Sequence, residues 1–176
     1  MDVPNLERYL NSFGASVVRQ SQGILRSVKG NTALASTIRF EVQEEAQGYS
    51  TKFYMADYGT FLDKGVSGNT VKRSYKNWQS NTLSSPYKYT NKQPPPDILA
   101  KWIKKKGIKG RDPKTGRFIS NMSLAFIIGR KIKRDGIQGI SFFQKPLGLE
   151  FRKLKDEIMA EFKVDVEAYI TTYTKF

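Results

Sequence analysis

Thr37-Ile38-Arg39-Phe40-Glu41-Val42, a polar link from Glu44 to Gly48, and Tyr49-Ser50-Thr51-Lys52-Phe53-Tyr54-Met55 decide the fold class. Ile38, Phe40 and Val42 alternate with Thr37, Arg39 and Glu41, and Tyr49, Thr51, Phe53 and Met55 answer them at the same period. A period of two puts one set of side chains on each face of a pleated strand. Two such runs around a glycine-ended link predict a β-hairpin.

The sequence on either side changes period. Leu6, Leu10, Phe13, Val17, Ile24 and Val28 recur at helical steps over 4–29, with a gap at Gln20-Ser21. Pro4 suits the first turn, and Gly30-Asn31 suits the stop. After the hairpin, Asp57 can cap a short helix from Tyr58 to Lys64 that ends at Gly65 and buries Tyr58, Phe61 and Leu62. Residues 66–96 lack apolar periodicity and close on Pro94-Pro95-Pro96, which predicts an extended arm. Helices follow over Ile98, Leu99, Trp102 and Ile103, stopped by Gly107, and over Leu124, Phe126, Ile127, Ile128 and Ile132. The second is capped by Ser120 or Asn121 and broken by Asp135-Gly136. Between them Asp112-Pro113-Lys114-Thr115-Gly116 reads as a turn. Leu147, Phe151, Leu154, Ile158 and Phe162 predict a long last helix. Its end reads two ways. Val166, Tyr169 or Ile170, and Tyr173 keep the helical step, while Val164, Val166, Ala168 and Ile170 alternate like a strand; helix through about residue 170 is preferred.

The expected architecture is therefore α+β: one domain over 1–176, with a small antiparallel sheet packed by N- and C-terminal helices. An extended arm lies at about 66–96 and a basic helical insertion at about 97–134.

Hydrophobic residues at 39% and aromatics at 12% are enough for one core. With no Cys and no His, the chain lacks a thiolate nucleophile, the usual general base and the usual zinc ligands. No apolar run approaches a membrane span, and Met1–Leu10 lacks the apolar core of a signal peptide. Synthesis in the cytoplasm and no membrane partner are expected.

The net charge of +14 is local. Residues 101–134 hold twelve basic residues against Asp112 alone, whereas 1–60 and 145–176 each balance six against six. Lys104, Lys105, Lys106, Lys109, Arg111, Lys114, Arg117, Arg130 and Lys131 are the candidates for contact with DNA or an acidic protein partner. A solvated face with snorkelling lysines is the plainer reading. Nucleic-acid modules interleave aromatics with cations. Trp102 is in phase with Ile98 and Leu99 and so reads as core, which places the protein partner slightly ahead of the nucleic acid.

Candidate chemistry is sparse. Asp57 and Asp63 could form an acid–base pair, but a cap and a surface or interface ion pair are the simpler uses. Gly65-Val66-Ser67-Gly68 and Gly107–Gly116 lack phosphate-loop spacing and read as turns. No catalytic residue, metal site or cofactor site is assigned, and an enzyme is not expected.

Two phrases carry a resemblance: Tyr58-Gly59-Thr60-Phe61-Leu62-Asp63-Lys64-Gly65-Val66-Ser67-Gly68 and Phe142-Phe143-Gln144-Lys145-Pro146-Leu147. With the N-terminal helix and the Tyr54-x-Ala56-x-Tyr58 end of the hairpin, the chain resembles the neck and tail-completion family of tailed bacteriophages, the head–tail joining and minor tail components. The resemblance implies a structural virion protein at the head–tail junction that forms a ring, a hexamer first and a dodecamer as the alternative. It implies contacts with other neck, connector and tail proteins, and genomic DNA in or near the lumen. The interface and arm residues would be Tyr58, Gly59, Phe61, Asp63, Lys64, Gly65, Gly68, Tyr75, Trp78, Tyr87 and Tyr89. The chain departs from the family in its longer arm and its basic helix pair. The alternative reading is a nucleic-acid-binding module using the 101–134 patch.

Overall fold

The fold, taken from a computed structural model, is α+β, and the structure describes residues 4–28, 32–46 and 48–174. The elements are α1 (Pro4–Ser27), α2 (Thr32–Ala35), β1 (Arg39–Glu45), β2 (Gly48–Tyr54), α3 (Gly59–Lys64), β3 (Ser74–Lys76), β4 (Thr82–Ser84), α4 (Pro96–Lys106), α5 (Asn121–Asp135) and α6 (Gln144–Thr174). The stop expected at Gly30-Asn31 lies outside the described residues. The chain clusters into two compact units, one of 1–63, 76–82 and 141–176, the other of 64–75 and 83–140.

In the first unit, β1 and β2 pair antiparallel from Arg39↔Tyr54 to Glu45↔Gly48. This register sets Phe40 beside Phe53, and Phe53 meets Phe13 of α1 and Phe143 edge-on at ring distances of 6.3 and 5.3 Å. Gly14 of α1 is a flat seat for Phe40: a Cβ there would fall 2.2 Å from the ring. Leu10, Phe13, Val17 and Leu25 of α1 join Leu34, Ala35, Ile38 and Phe142 in the core. Burial of this apolar face, each large side chain contributing roughly 1.5–3 kcal/mol, holds the helices on the hairpin.

Helices α1 and α6 run antiparallel along a polar seam. Asp165 of α6 accepts from the backbone N–H of Asn5 (3.3 Å) and Leu6 (3.0 Å) and from the Asn5 amide (2.7 Å). The first N–H groups of a helix have no intrahelical acceptor, so Asp165 caps α1 from a distant part of the chain. Tyr9 donates to Glu157 (2.8 Å), and Gln20 donates to Glu150 (2.6 Å). Burial first, then the Glu157 hydrogen bond and the nearby Glu157, Glu150 and Glu161 charges, push the Tyr9 hydroxyl well above the ordinary phenol range. Residues 164–174 are helical, so α6 continues past the expected end near 170.

In the second unit, α4 and α5 follow their sequence signals. Gly107 ends α4 in the left-handed region at φ 65°, and Ser120 caps α5 by accepting the Ser123 N–H. Their contact is thin: Ile103, Ala125 and Gly129 are buried, and Leu99 closes on Gly129. Trp102 is a correction. It is 44% exposed and Ile98 is 64% exposed, because a two-helix layer covers one stripe of α4, and Leu99 and Ile103 occupy it. Phe126 and Ile127 of α5 are exposed for the same reason.

The segment at 66–96 is also corrected. It is not a free arm: residues 66–75 and 83–96 belong to the second unit and 76–82 to the first, each bonded within its own unit. Asn69 and Thr70 donate to the carbonyls of Lys133 and Arg134 (2.9 and 3.0 Å), and Arg73 Nε donates to the Asp135 carbonyl (2.7 Å). Val66 exchanges both backbone bonds with Ile137 at 2.8 Å. At 66–71 these bonds are made by backbone groups, which is why hydropathy gives little sign of the order there.

Candidate functional site

The two phrases that carry the resemblance meet at one carboxylate. Asp63, in the last turn of α3, is 2% exposed. Its Oδ1 accepts from the N–H of Phe143 (2.8 Å) and Gln144 (3.4 Å), the entry to α6. Its carbonyl accepts the Ser141 N–H (3.0 Å). Asp63 is thus a buried cap on α6, not the surface or interface ion pair expected for it. The helix dipole and the unmet N–H groups at the start of α6 favour a carboxylate there. Ser141, buried beside it, sits at φ 51°, a left-handed conformation that costs a non-glycine residue roughly 1–2 kcal/mol.

The glycines of the first phrase serve close backbone approach. Gly59 is buried, and a Cβ there would fall 2.8 Å from Met55 and 3.2 Å from Leu34. Gly65 has φ 74°, and a Cβ would lie 2.5 Å from the Gly139 nitrogen. At Gly68 it would lie 2.1 Å from the Arg134 carbonyl oxygen. Where the sequence suggested that these glycines release an arm, they lay residues 65–68 against 134–139.

The remaining interface candidates are scattered. Tyr58 and Phe61 are exposed on and beside α3, a correction to their expected burial; Leu62 alone of the three is half-buried. Lys64 places its Nζ 6.0 Å from the Tyr75 ring centroid. Trp78 belongs to the first unit. Its backbone N–H donates to Gln144 Oε1 (3.1 Å), its ring meets Phe151 edge-on at 4.7 Å, and its carbonyl oxygen lies 2.0 Å from where a Cβ on Gly148 would stand. Tyr87 and Tyr89 flank a bridge: the Tyr87 carbonyl accepts the Ser67 N–H, and the Tyr89 N–H donates to the Ser67 carbonyl, both at 2.8 Å. Burial raises the Tyr89 hydroxyl above its ordinary value.

Sequence reasoning missed Asp165, Gly148 and the true partner of Asp63. A glycine inside a helix, as at Gly148, signals close approach. For the carboxylates no local signal exists, because their partners lie 80 and 160 positions away.

Charge divides along the unit boundary. The second unit holds 17 Lys and Arg against Asp97, Asp112 and Asp135, hence the whole +14; the first holds 13 against 13. Lys104, Lys105, Lys106, Lys109, Arg111, Lys114, Arg117, Arg130 and Lys131 are all exposed. Two of the three acids are already engaged. Asp112 accepts from the Lys114 and Thr115 N–H groups (2.8 and 3.0 Å), and those of Thr115 and then Lys114 hold it below the usual carboxylate range. Asp135 forms a two-pronged pair with Arg134 (2.7 and 3.0 Å), which lowers it likewise. That pair is the ion pair found among the described residues of this unit.

Aromatic surface lies between the cations. Phe118 is 60% exposed, with the Arg111 guanidinium 4.4 Å and Lys109 Nζ 5.8 Å from its ring centroid. Arg111 and Phe118 are joined by an antiparallel bridge around the Asp112 turn. Ile127, Arg130, Lys131 and Arg134 line an open depression of about 350 Å³ on α5. Among the described residues no group of three or more Asp or Glu gathers in metal-binding geometry. Asp57 is exposed, while Asp63 accepts backbone N–H groups at the start of α6. No protein-family model, no curated protein and no solved structure matches the chain.

Proposed function

We propose that this protein is a structural, non-enzymatic subunit of the neck of a tailed bacteriophage, a tail-completion or head–tail adaptor protein. Copies assemble as a ring, a hexamer or a dodecamer, at the head–tail junction. They meet connector and tail proteins, and DNA passes through or near the lumen. The observation that carries this reading is the resemblance of two separated phrases, 58–68 and 142–147, which meet at Asp63 in one compact junction of hairpin, α3 and α6. Beside it, Tyr58 and Phe61 present exposed aromatic surface of the kind that anchors protein interfaces.

Immunogold labelling of intact and tail-stripped particles tests the proposal. Label at the head–tail junction is expected. Absence of label from every particle, with the protein confined to the cytoplasm of infected cells, overturns it.

A further inference from the structure

We propose that the second unit, residues 64–75 and 83–140, is a duplex-DNA-binding surface that grips phosphates without reading sequence. The inference does not depend on the neck reading.

Two observations carry it. The first is segregation of charge: 17 cations and three acids, two of them engaged, fall in one unit, while the other unit of the chain is neutral. Crowded like charges repel and destabilise a fold. The second unit has little apolar core to offset that repulsion, since Ile103, Ala125 and Val66 are its buried hydrophobics. Asp112 is taken up by its own turn and Asp135 by Arg134, which leaves Asp97 as the remaining acid among 17 cations. An external polyanion relieves that repulsion.

The second observation is the outward side of α4 and the hairpin turn after it. Lys101, Trp102 and Lys105 project from α4, exposed together because Ile103 takes the buried stripe. Lys109 and Arg111 stand over the exposed ring of Phe118. The Arg111 guanidinium lies over the Phe118 ring, and its planar fork of donors matches phosphate oxygens. Trp102 and Phe118 are exposed among these cations, and Trp102 serves as a fluorescent reporter of the surface.

Duplex DNA fits better than an acidic protein. The exposed cations come from three successive elements, α4, the turn after it and α5, with Asp97, Asp112 and Asp135 as the acids of the same unit. Duplex DNA carries about one charge per 1.7 Å of axis, so a spread of cations engages it without a fixed register.

The test is fluorescence-anisotropy titration of the full chain with short duplex DNA over a salt series. A log–log slope of about 5 or more in magnitude is expected, one unit for roughly each phosphate neutralised. Replacing Lys101, Lys105, Lys109 and Arg111 together by Gln should lower the slope by about 4. Replacing Lys52, Lys145, Lys153 and Lys163 of the first unit by Gln removes the same charge and should leave the slope in place. Circular dichroism checks that both variants fold. The emission of Trp102 should change on binding, a response lost in Trp102→Phe. A wild-type slope below about 2, or equal losses in the two quadruple variants, overturns the proposal. So does tighter binding of single-stranded DNA, or displacement of DNA by polyglutamate at equal charge. Binding is read on purified chain, so its failure is distinct from a failure to find the protein in virions.

Discussion

Asp63 accepts the Phe143 backbone N–H at 2.8 Å, joining two positions 80 residues apart. The bond gives the two phrases a shared physical cause: the carboxylate at the end of α3 supplies what the start of α6 lacks. Asp63→Ala should therefore cost about 2 kcal/mol, since it removes a cap and leaves buried N–H groups without an acceptor. Asp63→Asn, which keeps one acceptor oxygen, should cost less. Denaturant midpoints at unchanged slope measure both. A loss under about 0.5 kcal/mol, the level of an ordinary surface substitution, would show that the cap is dispensable.

Ser141→Gly should stabilise the protein. Ser141 is held at φ 51° by the bond from its N–H to the Asp63 carbonyl, and glycine reaches that region without a Cβ penalty. The strain relieved is about 1 kcal/mol, reduced by the extra freedom glycine has when unfolded. A thermal midpoint lowered by the substitution would sink the idea of strain at this turn.

Gly148→Ala and Gly23→Ala should move stability in opposite directions although both positions are helical. Alanine is favoured over glycine in a helix by about 1 kcal/mol. At Gly23 no atom lies within 4 Å of the added Cβ, so the gain is realised. At Gly148 the Cβ would sit 2.0 Å from the Trp78 carbonyl oxygen, and the segment at 76–82 must move. The expected readouts are a higher midpoint for the first variant, and for the second a lower midpoint with red-shifted Trp78 emission.

Alkaline pH should destabilise the first unit through Tyr9. Its folded value is raised by burial and by Glu157, so the folded state holds the phenolic proton more tightly than the unfolded chain. The stabilisation is complete below the unfolded value near 10 and is lost as pH rises towards the folded value. Tyr9→Phe should cost about 1 kcal/mol at neutral pH through the lost hydrogen bond and flatten the loss above pH 10. Tyrosinate absorbance and denaturant midpoints across the alkaline range test it, and an unchanged slope in the variant would exclude Tyr9 as the cause.

The sequence by itself determined the local structure: the period-two runs of β1 and β2, the helical steps of α1 and α6, the Ser120 cap, and the stops at Gly107 and Gly136. Each rests on backbone and side-chain preferences that act within a few residues. It also located the basic stretch at 101–134. Only the tertiary structure decided which faces those elements cover. Trp102 shares the apolar step of α4, yet exposure fell to it and burial to Ile103, because burial depends on how many layers surround a helix. Likewise Asp63 and Asp165 read as ordinary acids until folding brought helix starts with unmet N–H groups against them. Segment 66–73 carried no periodicity to read, since its order comes from backbone bonds to 133–137, and a backbone donor is the same in every residue but proline.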